Sequence, residues 1–138
     1  MHFLDIGNRV RDDVIVFVFP KDPGKDFIKR VIGIPGDRIQ IVDKRVFVNG
    51  QHYQEPHEVH KESGMLPGSL SPRDNIDAIT VPVSSYFVMG DNRDRSYDSR
   101  FWGFVGSENI KGLAFTKYWS WDREKWQIRW GSIGNLID

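Results

Sequence analysis

The amino-acid sequence predicts an all-β fold, mainly antiparallel, in a barrel-like or sandwich arrangement. Two observations carry this. Short runs of β-branched and aromatic residues recur along the chain, each bounded by Pro, Gly, Asn or Asp in combinations that make turns. No segment has a convincing helical period, and there is no internal repeat.

Asp13 to Phe19 reads as the first strand; it stops at Pro20, and Lys21-Asp-Pro-Gly24 is a turn. Phe27 to Ile34 reads as the second, closed by Pro35-Gly36-Asp37. Arg38 to Asp43 and Arg45 to Val48 alternate apolar and polar residues about Asp43-Lys44, the pattern of a half-exposed hairpin, and Asn49-Gly50 is a further turn. Glu55 to Ala78 is polar, holds three of the seven prolines and shows no period, which predicts a long loop or weakly ordered insertion. Strand character returns at Ile79 to Val83 and at Tyr86 to Met89. The charged stretch from Gly90 to Arg100 cannot be a buried strand throughout, and Ile110 to Trp121 reads as the last strand.

Composition narrows the function classes. The 138 residues are 39% hydrophobic and 28% charged, which favours a folded domain over disorder. Lys+Arg and Asp+Glu each total 19, so there is no electrostatic case for a nucleic-acid partner. The absence of cysteine removes disulfides, thiolate metal sites and a Cys nucleophile. No apolar run approaches the roughly 20 residues that span a bilayer, and residues 1–12 hold no signal-peptide core. All five Trp lie after residue 100, four of them between Trp119 and Trp130. They serve either as core and edge aromatics or as an interfacial patch at lipid headgroups.

Two segments do not fit a plain β domain. In Phe27-Ile28-Lys29-Arg30-Val31-Ile32 two cations interrupt an apolar strand, and alternation puts Lys29 on the face of Phe27 and Val31 and Arg30 on that of Ile28 and Ile32. An apolar setting disfavours a charged lysine, and a neutral amine can take a proton from a hydroxyl; arginine cannot. The plainer alternative is that Lys29 snorkels from an edge strand while Arg30 makes a surface pair. The second segment, Gly90 to Arg100, packs three carboxylates, three guanidinium groups, two serine hydroxyls, a phenol and an amide into one stretch. It is either a loop braced by Arg–carboxylate forks or a solvated charge run. Calcium fits poorly. Counting from Asp91, arginines stand at positions 3 and 5 and Ser96 at position 6, where an EF-hand loop needs oxygen ligands and a glycine.

These segments, in this order and about sixty residues apart, resemble the bacterial type I signal peptidases. Lys29-Arg-Val-Ile-Gly-Ile-Pro-Gly-Asp37 is similar to the family's lysine box. Gly90 to Arg100, continued by Phe101-Trp-Gly-Phe-Val105, is similar to its Gly-Asp-Asn-Arg-Asp box. Asp12-Asp-Val-Ile-Val-Phe17 is similar to the preceding strand box, with Asp12 in place of its glycine, and Val46-Phe-Val-Asn-Gly50 matches a family hairpin turn.

The resemblance implies a discontinuous catalytic β core of residues 1–37 and 85–123, an inserted β-ribbon lobe over 38–84 and a tail over 124–138. It implies removal of signal peptides from preproteins after small residues at −1 and −3, on the outer side of the cytoplasmic membrane and at the membrane surface. By position, Lys29 is the general base and Ser96 the hydroxyl that orients its amine. Gly90 leaves room beside them, and Arg30, Asp91, Asp98 and Arg100 form supporting ion pairs. Arg95 departs from the small polar residue common at its position. The family's nucleophile is a serine in an upstream Ser-Met-x-Pro-Thr box. Residues 1–12 contain no serine, so the expectation is a truncated, inactive chain. Ser63-Gly-Met-Leu-Pro67 is a poor substitute, with an extra glycine and a place after the lysine box. His57 and His60 form a weak metal pair with no ligand-rich helix around them, so no metal or cofactor is expected. Two rival classes are a non-catalytic β domain that binds peptides by strand addition and a self-cleaving repressor protease, which lacks this charged box.

Overall fold

The computed structural model describes residues 11–53 and 71–115. Their strands are β1 (Val14–Val18), β2 (Asp26–Gly33), β3 (Arg38–Val42), β4 (Arg45–Val48), β5 (Gln51–His52), β6 (Ile76–Thr80), β7 (Ser85–Met89), β8 (Val105–Gly106) and β9 (Ile110–Phe115). One short helix, α1 (Ser99–Trp102), precedes β8, and a 3-10 turn covers Ser107–Asn109. A five-stranded sheet has the order β8-β7-β2-β1-β9, and a four-stranded sheet the order β5-β4-β3-β6. Every strand pair is antiparallel, as expected for this all-β class.

Alternation along β2 and β7 explains how two cores share one pair of strands. Val31, Tyr86 and Val88 join Ile15, Phe17, Phe19, Trp102, Val105 and Ile110 in one buried cluster. Ile32, Phe87 and Met89 point the other way and join Ile39, Ile41, Val46, Val48 and Val81 in a second cluster beneath the four-stranded sheet. Strands buried on both faces lose the simple apolar–polar pattern, and β2 is buried at every position from Lys29 to Gly33, charged residues included.

The hairpins close where the turn residues require. Asp43 and Lys44 adopt φ of 48° and 71°, and Val42 faces Arg45 across the two-residue turn. Asn49 and Gly50, at 54° and 83°, close β4 on β5. Positive φ at both turn positions matches the right-handed twist of the strands. Asn49 also accepts the Arg38 N–H at 2.9 Å and donates to Asp37 Oδ1 at 3.0 Å. Asp37 further receives a fork from Arg11 at 2.9 and 2.6 Å and the Ile34 N–H at 2.9 Å.

The structure corrects two details. The strand expected at Ile79 to Val83 starts at Ile76 and ends at Thr80. Ile76 and Ile79 face Ile41 and Ile39 across a bulge in β6, which breaks the two-residue rhythm a sequence reading relies on. Pro82 interrupts the ladder, and Val83 is left 85% exposed. Ser99 to Trp102, at the end of the charged box, forms one helical turn, too short to show a helical period in the sequence. Residues 54–70 and 116–138, with Ser63, His57, His60 and Trp119 to Trp130, lie outside the described residues.

Candidate active site

β2 is flanked by β1 and β7 and buried on both faces, so a lysine within it is carried into the interior. Lys29 pairs with Ile15 of β1 and is only 5% exposed. Its Nζ donates to Ser96 Oγ at 3.0 Å and lies 5.7 Å from the centre of the Phe27 ring. Phe27 is stacked on Phe19 at 4.4 Å and set edge-on to Trp102, so an aromatic wall closes this side. The snorkelling alternative fails, because the lysine is on an interior strand.

Arg30 points to the opposite face and is equally buried. Its guanidinium forks onto Asp91 with two bonds of 2.9 Å and donates to the Asp12 carbonyl at 3.1 Å. Such bidentate pairs fix orientation as well as charge. Asp91 is thereby tethered to the strand that carries Lys29.

The stretch from Gly90 to Arg100 is no solvated run. Asn92, Arg93, Asp94, Ser96, Asp98, Ser99 and Arg100 are all buried, while Arg95 and Tyr97 face outward. Asp98 is its organising residue. It stands at the N-cap of α1, where Oδ1 accepts the Arg100 N–H at 3.1 Å. The same carboxylate takes a fork from Arg100 Nε and Nη2, both at 2.9 Å, and Oδ2 accepts the Gly90 N–H at 3.0 Å. Asp98 thus pulls the two ends of the loop together. Arg93 Nε donates back to the Gly90 carbonyl at 3.1 Å, and Ser99 Oγ accepts the Val88 N–H at 2.8 Å where the β7 ladder ends. Gly90, buried between β7 and Asp98, is the pivot of the loop.

The structure thus brings together Lys29 and Ser96, Arg30 and Asp91, and Asp98, Arg100 and Gly90. Sequence reasoning missed Lys44, whose Nζ lies 3.0 Å from Asp94 Oδ1 in a buried ion pair, and the Arg73–Asp74 fork at 2.7 Å. No local signal marks either one. Asp-Lys at a hairpin tip and Arg-Asp in a polar loop both read as solvated, and the partner of Lys44 lies fifty residues away in sequence.

Chemically, the arrangement offers a buried primary amine aimed by a hydroxyl, beside an aromatic wall and a braced loop. Removal from water disfavours the ammonium form, and a neutral amine so placed can accept a proton from an incoming hydroxyl. The aromatic residues divide. Trp102 is a core aromatic, buried against Phe17 and Phe19, because α1 turns it inward. Phe104 is half-buried against the second core. Tyr97 and Phe101 remain exposed, with ring centres 5.9 Å apart.

Residues 4–119 match the family model described as signal peptidase, peptidase S26. A signal peptidase I of Pseudomonas fluorescens is 36% identical over 156 aligned positions, covering 88% of this chain and 53% of that protein. A signal peptidase I of Bacillus caldolyticus is 39% identical over 128 positions, covering 90% and 69%. The chain thus spans only about half the length of the Pseudomonas relative. Among solved structures, a signal peptidase I from Enterococcus faecalis matches with a TM-score of 0.59 and 32% identity, over 76% of this chain and 95% of that one.

Proposed function

The chain belongs to the signal peptidase family, peptidase S26, and from that premise we propose that it is catalytic sequence of a Ser/Lys endopeptidase that removes N-terminal signal peptides from exported preproteins. Cleavage falls after small residues at −1 and −3, at the outer surface of the cytoplasmic membrane. The observation that carries the reading is the 3.0 Å contact between Lys29 Nζ and Ser96 Oγ on a buried strand.

In this reading a serine hydroxyl attacks the scissile carbonyl while neutral Lys29 takes its proton. Lys29 then returns that proton to the leaving amine. Water repeats the attack on the acyl-enzyme with the same base. No histidine is needed, as in other Ser–Lys variants of the triad. Ser96 holds the amine in line, and Arg30–Asp91 and Asp98–Arg100 keep Ser96 in place. Residues 1–12 hold no serine, so the test supplies the family's serine box.

Residues 38–84 are read as a lobe inserted into a core formed by 1–37 and 85–123, with 124–138 as a tail; the division into two sheets supports this. The exposed pair Tyr97 and Phe101, immediately beside Ser96, is read as part of an apolar rim toward the membrane surface. No helix among the described residues is long and apolar enough to cross a membrane.

The test uses a chain extended to carry the serine box and a peptide with alanine at −1 and −3. Lys29→Ala abolishes turnover, whereas Lys25→Ala, at an exposed turn lysine, leaves it intact. Equal turnover of Lys29→Ala and parent would overturn the general-base role.

A further inference from the structure

The loop that carries Ser96 is held at its ends by its own sheet, through Arg30 on Asp91 and through Asp98 on the Gly90 N–H. Its middle is held from the other sheet. Lys44 Nζ, in the β3–β4 turn, lies 3.0 Å from Asp94 Oδ1, and the two side chains are 9% and 1% exposed. Asp94 stands two residues before Ser96.

Lys44 is itself fixed. It occupies the second left-handed position of its turn, and its N–H donates to the Asp74 carbonyl at 2.8 Å. The neighbouring Asp43 N–H donates to Asn75 Oδ1 at 3.0 Å. Asp74 receives the Arg73 fork, and the Arg73 carbonyl accepts Arg100 Nη1 at 2.8 Å. Arg100 completes the circuit on Asp98. Ser96 therefore sits inside a ring of polar contacts, and half of that ring belongs to the four-stranded sheet and the segment leading into β6.

A hairpin tip can leave its lysine in water at no cost. Burying the ammonium on a carboxylate instead strips both ions of hydration, so the pair is a poor source of stability. What it does supply is a fixed distance between the two sheets at the residue that sets Ser96. We propose that Lys44 is a positioning residue: from the inserted sheet, through Asp94, it holds Ser96 Oγ on the Lys29 amine.

The kinetic test rests on the peptidase reading; a second measurement does not. In the chain extended to carry the serine box, Lys44→Met lowers kcat about tenfold and leaves KM within about twofold. Lys44→Arg keeps a cation on Asp94 and restores most of the loss. Parent-like kcat in folded Lys44→Met overturns the proposal. So does an equal loss in Lys44→Met and Lys44→Arg accompanied by a matching rise in KM. Should Lys44→Met fail to fold, the Lys44→Met/Asp94→Asn double variant removes both charges and leaves neither buried alone. It retains the low kcat; parent-like kcat overturns the idea.

If the parent does not cleave while carrying the box, the peptidase reading fails, and amide hydrogen exchange on the 138-residue chain decides this proposal alone. Lys44→Met then speeds exchange at Arg95 to Tyr97 and spares β2 and β7. Unchanged exchange in that loop overturns it.

Discussion

Replacing Arg100 with alanine tests whether the charged box is a built structure. The Asp98 carboxylate is fully buried and accepts four hydrogen bonds, two from backbone N–H groups and two from the Arg100 fork. Arg100→Ala removes the fork and its countercharge, and also strips the Arg73 carbonyl of its donor. Breaking a buried pair by deleting one partner costs about 3–5 kcal/mol, because the other charge stays buried. For a domain of this size each kcal/mol moves the melting temperature by roughly 3–4 °C, so the expected drop is about 10–20 °C. Circular dichroism melts at neutral pH measure it. Arg100→Leu combined with Asp98→Asn removes both charges and recovers much of the loss, as a desolvation argument demands. A melting temperature within about 2 °C of the parent in Arg100→Ala would refute the reasoning, since no buried charge in a dry setting is orphaned so cheaply.

Two further outcomes follow from packing and titration. Gly33→Ala places a methyl 2.8 Å from Ile39 Cδ1 and 3.0 Å from Val81 Cγ2, in a core with no slack, so urea unfolding shows a loss of about 1–3 kcal/mol; an unchanged midpoint would show that Ile39 simply steps aside. At Asp37, burial pushes the carboxyl up, but the Arg11 fork, the Ile34 N–H and the Asn49 amide outweigh it and hold the group below its ordinary value. A carboxyl depressed on folding contributes stability above its unfolded pKa and loses it as pH falls through the folded one, so Asp37→Asn lowers stability at neutral pH and flattens its decline in acid, as urea titrations across that range will read; parallel pH profiles for variant and parent would contradict it.

What the sequence made legible depended on whether the signal was local. Lys29 was visible because two cations inside an apolar strand demand a reason, and strict alternation already separated its face from that of Arg30. Ser96 had no such signal, since a serine in a charged stretch is ordinary; the likeness to a known box singled it out. The burial of that stretch was not readable from composition, because carboxylates and guanidinium groups leave water only when geometry pairs them, as Asp98 and Arg100 do. Lys44 was hidden for the opposite reason. Its turn chemistry was read correctly and suggested solvent, while the acceptor that draws it inward, Asp94, lies in the distant loop after β7. Trp102 was left open between core and interface because nothing in four residues announces a single helical turn, and that turn decides which way the indole points.

The pairing of β2 with β7 also bears on how the chain folds. Arg30 faces Met89, a distant partner, and closing so large a loop directly costs entropy before any contact rewards it. The four-stranded sheet offers a route of shorter closures. The β3–β4 and β4–β5 hairpins are local and of a kind that forms in about 1–10 μs. They draw His52 back beside Phe47, which shortens the span over which β6 must travel to reach β3. Once β6 docks, Arg38 lies opposite Thr80, the Val81 N–H is on the Asp37 carbonyl and the Gly36 N–H on that of Val81. β2 and β7 then leave the sheet as neighbours, and their ladder has only to zip. On this route the four-stranded sheet acts as a clasp that folds first, and Lys29 and Ser96 meet only after it has closed.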